Sequence, residues 1–142
     1  MSLLAIGVCL VLVADPRTGP VFVPARRFTL AWTHSIEKVR WEEDYAVEPG
    51  QRVGGAPELR AVAARVRGSG AGMEPPPDAV LRDGWYEYRP GQSRHEALLL
   101  TRSRYVPDYE FCTAAAGCRS MTVLLPSDGG VTRMTPCKDP GR

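Results

Sequence analysis

Residues 28–45, FTLAWTHSIEKVRWEEDY, decide how the rest of the chain is read. From Phe28 to Thr33 bulky and small side chains alternate. Phe28, Leu30 and Trp32 fall on one face and Thr29, Ala31 and Thr33 on the other, the two-residue period of a β-strand. His34 continues the Trp32 face at the strand's end. A second run places Trp41, Glu43 and Tyr45 on one face and Glu42, Asp44 and Ala46 on the other. The two runs are expected to pair. The adjacent acids Glu42 and Glu43 then point in opposite directions, so only one of them can readily line a site with His34.

Upstream, Ser2–Ala14 (SLLAIGVCLVLVA) is apolar enough to suggest a signal or an anchor. It is shorter than the roughly 20 residues a spanning helix needs. No Lys or Arg precedes it, no clear small-residue cleavage site follows it, and Val8 occupies the place before Cys9 where a lipoprotein cysteine has a small residue. β-branched residues from Ile6 to Val13, turn chemistry at Asp15-Pro16-Arg17-Thr18-Gly19 and a return at Pro20–Val23 predict a buried β-hairpin instead. On this reading the chain does not span a membrane and, lacking a signal segment as written, stays in the cytoplasm. The alternative compartment is the periplasmic face of the membrane.

Downstream, Glu48–Gly55 reads as a loop. Glu58–Arg67 (ELRAVAARVR) is ambiguous: Leu59, Val62, Ala63 and Val66 fit a helix, Val62, Ala64 and Val66 fit alternation, and propensity favours helix. A glycine segment, Gly68–Met73, leads into Pro75-Pro76-Pro77, which blocks regular pairing. Trp85–Tyr88, Ala97–Thr101, Tyr109–Cys112 and Ser120–Leu125 read as short strands between turns. Many short strands with Gly and Pro punctuation predict a mostly β protein, a small antiparallel β-sandwich or barrel-like single domain over residues 1–126. Residues 127–142, with few apolar positions, are expected to be a loosely ordered C-terminal tail.

Composition bounds the function. At 142 residues, 44% apolar and 24% charged, the chain suits one globular domain that buries a core without needing metal or disulfides to fold. A net charge of +2 with basic residues scattered among acids leaves no stripe for nucleic acid.

The densest polar cluster, His34, Ser35, Glu37, Lys38, Glu42 and Glu43 beside Trp41, is the candidate binding site. Ser35 points away from His34 on a strand and is a poor nucleophile for it. Metal would need His34, Glu37 and one of Glu42 or Glu43, with no second His nearby, because His95 lies in a separate polar loop. No metal and no cofactor are assigned, and no catalytic residue is named. The plain structural role for His34 and Glu37 is to hold a tight turn through side-chain to backbone hydrogen bonds, with Lys38 paired to an acid. Gly68, Gly70 and Gly72 lack the P-loop Lys and the dinucleotide spacing. They can supply positive φ while Met73 plugs the core, or form an anion-binding nest with Arg67 beside His34. Cys112 and Cys118 bracket a turn that a hairpin would bring to disulfide distance. Cys9 is expected to be buried and inert, and Cys137 to sit in the tail. A bridged Cys112–Cys118 pair favours export, reduced thiols the cytoplasm.

Three segments carry a resemblance: Arg27–Tyr45 (RFTLAWTHSIEKVRWEEDY), Arg67–Pro90 (RGSGAGMEPPPDAVLRDGWYEYRP) and Asp108–Cys112 (DYEFC). Over roughly residues 4–125 the chain resembles the bacterial family known as the domain of unknown function numbered 1850. The resemblance implies a small β-rich domain, makes Glu58–Arg67 a strand, and implies a place beside tripartite ATP-independent periplasmic transporters with TAXI-type binding proteins. The expectation is a non-enzymatic accessory domain that binds a transporter component or a small anionic ligand. The alternative is a small, metal-assisted enzyme using His34 with Glu37 or Glu43.

Overall fold

The computed structural model describes residues 5–34, 38–68, 77–91 and 93–141. Its elements run β1 (Ile6–Leu12), β2 (Val21–Pro24), β3 (Arg27–Thr33), β4 (Arg40–Glu48), β5 (Glu58–Arg67), β6 (Val80–Arg82), β7 (Trp85–Tyr88), β8 (Arg94–His95), β9 (Leu98–Thr101), β10 (Glu110–Thr113), β11 (Gly117–Ser120), α1 (Met121–Leu124) and β12 (Val131–Lys138). They form two antiparallel sheets. The smaller has the order β2-β1-β12-β9 and the larger β11-β10-β3-β4-β5-β7-β6, with β8 added on β5. The fold is mostly β as expected, and the sheets do not close into a barrel.

Both sheets contribute to one core. Val8 and Leu10 of β1 and Met134 of β12 meet Phe28 and Leu30 of β3, Leu59 of β5 and Phe111 of β10. Phe28 stacks on Phe111 at 4.7 Å and on Tyr45 at 5.3 Å. Full burial of a side chain of this size contributes about 1.5–3 kcal/mol. The N-terminal hairpin forms as expected. β1 is apolar on both faces because it lies between β2 and β12 with nearly every residue buried. Gly7 is required there, since a Cβ would stand 2.0 Å from the Val23 carbonyl oxygen. No helix among the described residues is long and apolar enough to cross a membrane.

Three expectations are corrected. Residues Glu58–Arg67 form a strand, as the family resemblance implied and propensity did not. The pairing slips between Asp44 and Tyr45, which face Ala63 and Ala61, so Val62 is an extra residue on β5. The bulge moves the buried positions to Leu59, Ala61, Ala64 and Val66, a spacing that mimics neither period cleanly.

The tail is not loosely ordered. β12 pairs along its length with β1, from Leu12↔Thr132 to Ile6↔Lys138, and also with β9. It buries Thr132 and Met134 completely. β12 therefore belongs to the same domain as β1 and β9. The third correction is Ser120–Leu125, where Ser120 ends β11 and caps a single helical turn, its side chain accepting from the Thr122 N–H.

Candidate functional site

β4 divides the larger sheet's chemistry between two faces. On the outer face, away from the smaller sheet, Glu42 accepts from Arg40 Nε and Arg65 Nε, both at 2.7 Å. Asp44 accepts from Arg65 Nη1 and Nη2 at 2.8 and 3.1 Å and from Thr29 Oγ1 at 2.6 Å. Arg40 continues to Glu110 at 2.6 Å. Burial opposes ionisation of Asp44, yet Arg65 and Thr29 hold its carboxyl below the usual range. This ladder engages Glu42, which settles which of the two adjacent acids is left for the inner face.

That acid is Glu43. It stands opposite Leu30 of β3 and Ala64 of β5, and beyond Ala64 lies Tyr88 of β7. One step toward the β3–β4 turn, Trp41 stands opposite Trp32 and Val66, and Val66 opposite Tyr86. Directly opposed residues share a face. The Trp32 and Trp41 rings stack at 6.2 Å, Tyr109 tilts onto Trp32 at 5.8 Å, and His34 approaches Trp41 at 6.2 Å. Tyr45 donates its hydroxyl to Glu43 Oε1 at 2.7 Å. The carboxylate is half-buried and has no basic side chain paired to it among the described residues. Burial, reinforced by the negative charge of Glu43, raises the hydroxyls of Tyr45, Tyr88 and Tyr109 above their ordinary pKa. Trp41 Nε1 is buried without a hydrogen-bond partner among the described residues.

The expected residues distribute as follows. His34 joins the Trp32–Trp41 face, and backbone bonds tie its turn together. Its N–H donates to Val39 O at 2.9 Å and its carbonyl accepts from Lys38 N at 3.0 Å, with Lys38 at φ 60°. Ser35 and Glu37 lie outside the described residues, as do Gly70 and Gly72. Gly68 ends β5 at φ +78° and donates to Gly84 O at 2.6 Å. Arg67 opposes Trp85 and lies over its ring at 5.3 Å. The alternation of β5 puts Arg67 on the Arg65 face, away from Glu43, while the anion nest expected with the glycines beside His34 depends on Gly70 and Gly72, outside the described residues. Among the described residues no group of three His, Cys, Asp or Glu could hold a metal ion.

Tyr88, Tyr109 and His95 were missed. His95 does not stand apart, because β8 pairs with β5 and brings its ring edge-on to Tyr45 at 6.1 Å. The alternating WYEY of β7 was a signal for two Tyr side chains on one face, without saying which face. Tyr109 is placed by Arg102, which is 2% exposed. Arg102 donates to Asp108 Oδ1 and Oδ2 at 3.1 and 2.6 Å, to Thr132 Oγ1 at 3.1 Å and to Leu125 O at 2.6 Å. Asp108 in turn accepts from the Tyr109 N–H at 2.9 Å.

Cys112 and Cys118 are bridged, facing each other across the β10–β11 hairpin. Cys9 and Cys137 are bridged as well, across the β1–β12 pair. The expectation of an inert Cys9 and a Cys137 in a loose tail is corrected, since neighbouring strands bring together cysteines 128 positions apart.

The family model described as a domain of unknown function, DUF1850, matches residues 28–119, and the chain belongs to that family. The match takes in Trp32, Trp41, Glu43, Tyr45, Tyr88 and Tyr109, and leaves out β1, β2 and β12. No curated protein and no solved structure matches the chain significantly.

Proposed function

We propose that this DUF1850 domain is a non-enzymatic recognition module, accessory to a membrane transporter, and that it binds through the Glu43 end of the inner face of its larger sheet. The observation that carries the reading is the contrast along β4. Glu42 and Asp44 are neutralised by Arg40 and Arg65, whereas Glu43 is held by the Tyr45 hydroxyl among Trp32, Trp41, Tyr88 and Tyr109. Aromatic rings mounted on strands around one oriented polar group are the usual lining of a binding site. The two disulfides fit an oxidising compartment, the periplasmic face of the membrane, over the cytoplasm. The transporter association rests on the resemblance of the HSxEK and GAGM segments to domains encoded beside TAXI-type tripartite systems.

Co-purification of the tagged chain with the solubilised subunits of such a transporter tests the reading, using wild type, Trp41→Ala and Glu43→Gln. The expected result is loss of the transporter subunits in both variants well beyond what the folded fraction of each accounts for. Retention that merely follows the folded fraction of each variant overturns it.

A further inference from the structure

We infer that the Glu43 face takes a small organic cation of the alkylammonium class. The inference rests on the reading of this face as a recognition surface and adds the chemistry of the ligand. Among the half-buried acids, Glu42 is matched by Arg40 and Arg65, Asp44 by Arg65, Glu110 by Arg40 and Asp108 by Arg102. Among the described residues Glu87 and Glu43 are half-buried without such a match, Glu87 standing opposite Arg65 on the outer face and Glu43 on the inner, aromatic face. The hydrogen-bond donor to Glu43 is a neutral hydroxyl, and no Lys or Arg among the described residues pairs with it. A carboxylate withdrawn from water without a counter-charge is costly, and an incoming cation removes that cost.

The surroundings select the kind of cation. Trp32 and Trp41 offer stacked indoles 6.2 Å apart, and Tyr109 closes on Trp32 at 5.8 Å. Register adds Tyr86 and Tyr88 to the same face. Aromatic faces attract a cation through their quadrupole and bury the alkyl groups it carries. A metal ion would require several oxygen or nitrogen donors, and Glu43 is the one carboxylate that β4 turns inward. A small anion would meet the negative charge of Glu43, and the Arg67 expected to hold it faces the other way. The ligand inferred for this face thus carries the opposite charge to the one expected from the glycine segment.

The full chain, titrated with tetramethylammonium chloride, n-butylammonium chloride and sodium acetate at constant ionic strength, tests this by the indole N–H signals of its three tryptophans in NMR. Trp32 and Trp41 report the face, and Trp85, under Arg67 on the opposite side, is the internal control. Saturable shifts of Trp32 and Trp41 with the ammonium salts, and an unmoved Trp85, are expected. Glu43→Gln should weaken binding about tenfold, which corresponds to about 1.4 kcal/mol. Trp41→Leu, which keeps the charge and removes one ring, should weaken it as well and serves if Glu43→Gln fails to fold. Shifts that do not saturate, affinity unchanged in a folded variant, or saturation by acetate in place of the ammonium ions each overturn the inference. Absence of ammonium binding while transporter capture still depends on Trp41 and Glu43 overturns the ligand class alone. Loss of that dependence overturns the recognition reading.

Discussion

Tyr45 and Glu43 lie two residues apart on β4 and face the same way, and the Tyr45 hydroxyl donates to Glu43 Oε1 at 2.7 Å. The bond ties the core to the candidate site. The Tyr45 ring stacks on Phe28 in the centre of the sandwich, while its hydroxyl orients the carboxylate beyond the core's edge.

Tyr45→Phe keeps the ring and removes that donor. A hydrogen bond to a charged group contributes about 1.5–3 kcal/mol, so a loss of about 2 kcal/mol in urea unfolding is expected, with the β-sheet circular dichroism spectrum unchanged. A loss below about 0.5 kcal/mol would mean that water serves Glu43 as well as Tyr45 does.

The same environment makes stability fall in alkali. The Tyr45, Tyr88 and Tyr109 hydroxyls are raised by burial and by Glu43, so above about pH 10 the unfolded chain loses phenolic protons that the folded chain retains. Their contribution is complete below that pH and declines as pH rises through the folded values. Ultraviolet titration of the folded protein should show Tyr45, Tyr88 and Tyr109 ionising late among its five tyrosines. Tyr45→Phe should flatten the alkaline fall in stability.

Arg102 anchors the segment that delivers Tyr109. Arg102→Met should cost about 3–5 kcal/mol, because removing one partner of a buried pair strands the other, here Asp108 with Thr132 and the Leu125 carbonyl. Burial opposes the charge on Asp108, but Arg102 and Thr122 hold its carboxyl below the usual range. The stability it contributes is therefore present above its unfolded pKa near 3.9 and lost as pH falls through the lower folded value. Urea unfolding from pH 6 downward should show a steeper acid loss in the wild type than in Asp108→Asn.

The two disulfides should differ in weight. Cys9–Cys137 closes nearly the whole chain, at a separation of 128, and Cys112–Cys118 closes a separation of 6. Loop entropy predicts about 5 kcal/mol for the first and about 2.4 kcal/mol for the second. Paired Cys→Ser variants compared by denaturant midpoint should rank in that order, and equal losses would show that the unfolded chain is not the main term.

Gly7→Ala places a Cβ against the Val23 carbonyl oxygen of a paired strand, a backbone atom that cannot rotate aside. At least about 1–3 kcal/mol of destabilisation is expected from such overpacking. Gly91→Ala, where an added Cβ meets open space, is the control and should move the melting temperature little.

The amino-acid sequence by itself determined the β class, the N-terminal hairpin, the β3–β4 pair and the facing of Cys112 and Cys118. Each of these rests on neighbours in the chain, where alternation and turn residues act directly. It also separated Glu42 from Glu43, since a strand sends adjacent side chains to opposite faces. Only the tertiary structure decided which acid remained available, because the answer depended on Arg65, 23 residues from Glu42, and on which face the smaller sheet covers. β5 was obscured by a bulge whose register belongs to the pairing with β4. β12, with its polar and Pro-containing sequence, became a strand because β1 and β9 supply hydrogen bonds and burial on both sides. Tyr88, Tyr109 and His95 reach the Glu43 face through strand order and the buried Arg102 anchor. These are long-range pairings, and local periodicity carries no information about which distant strands will meet.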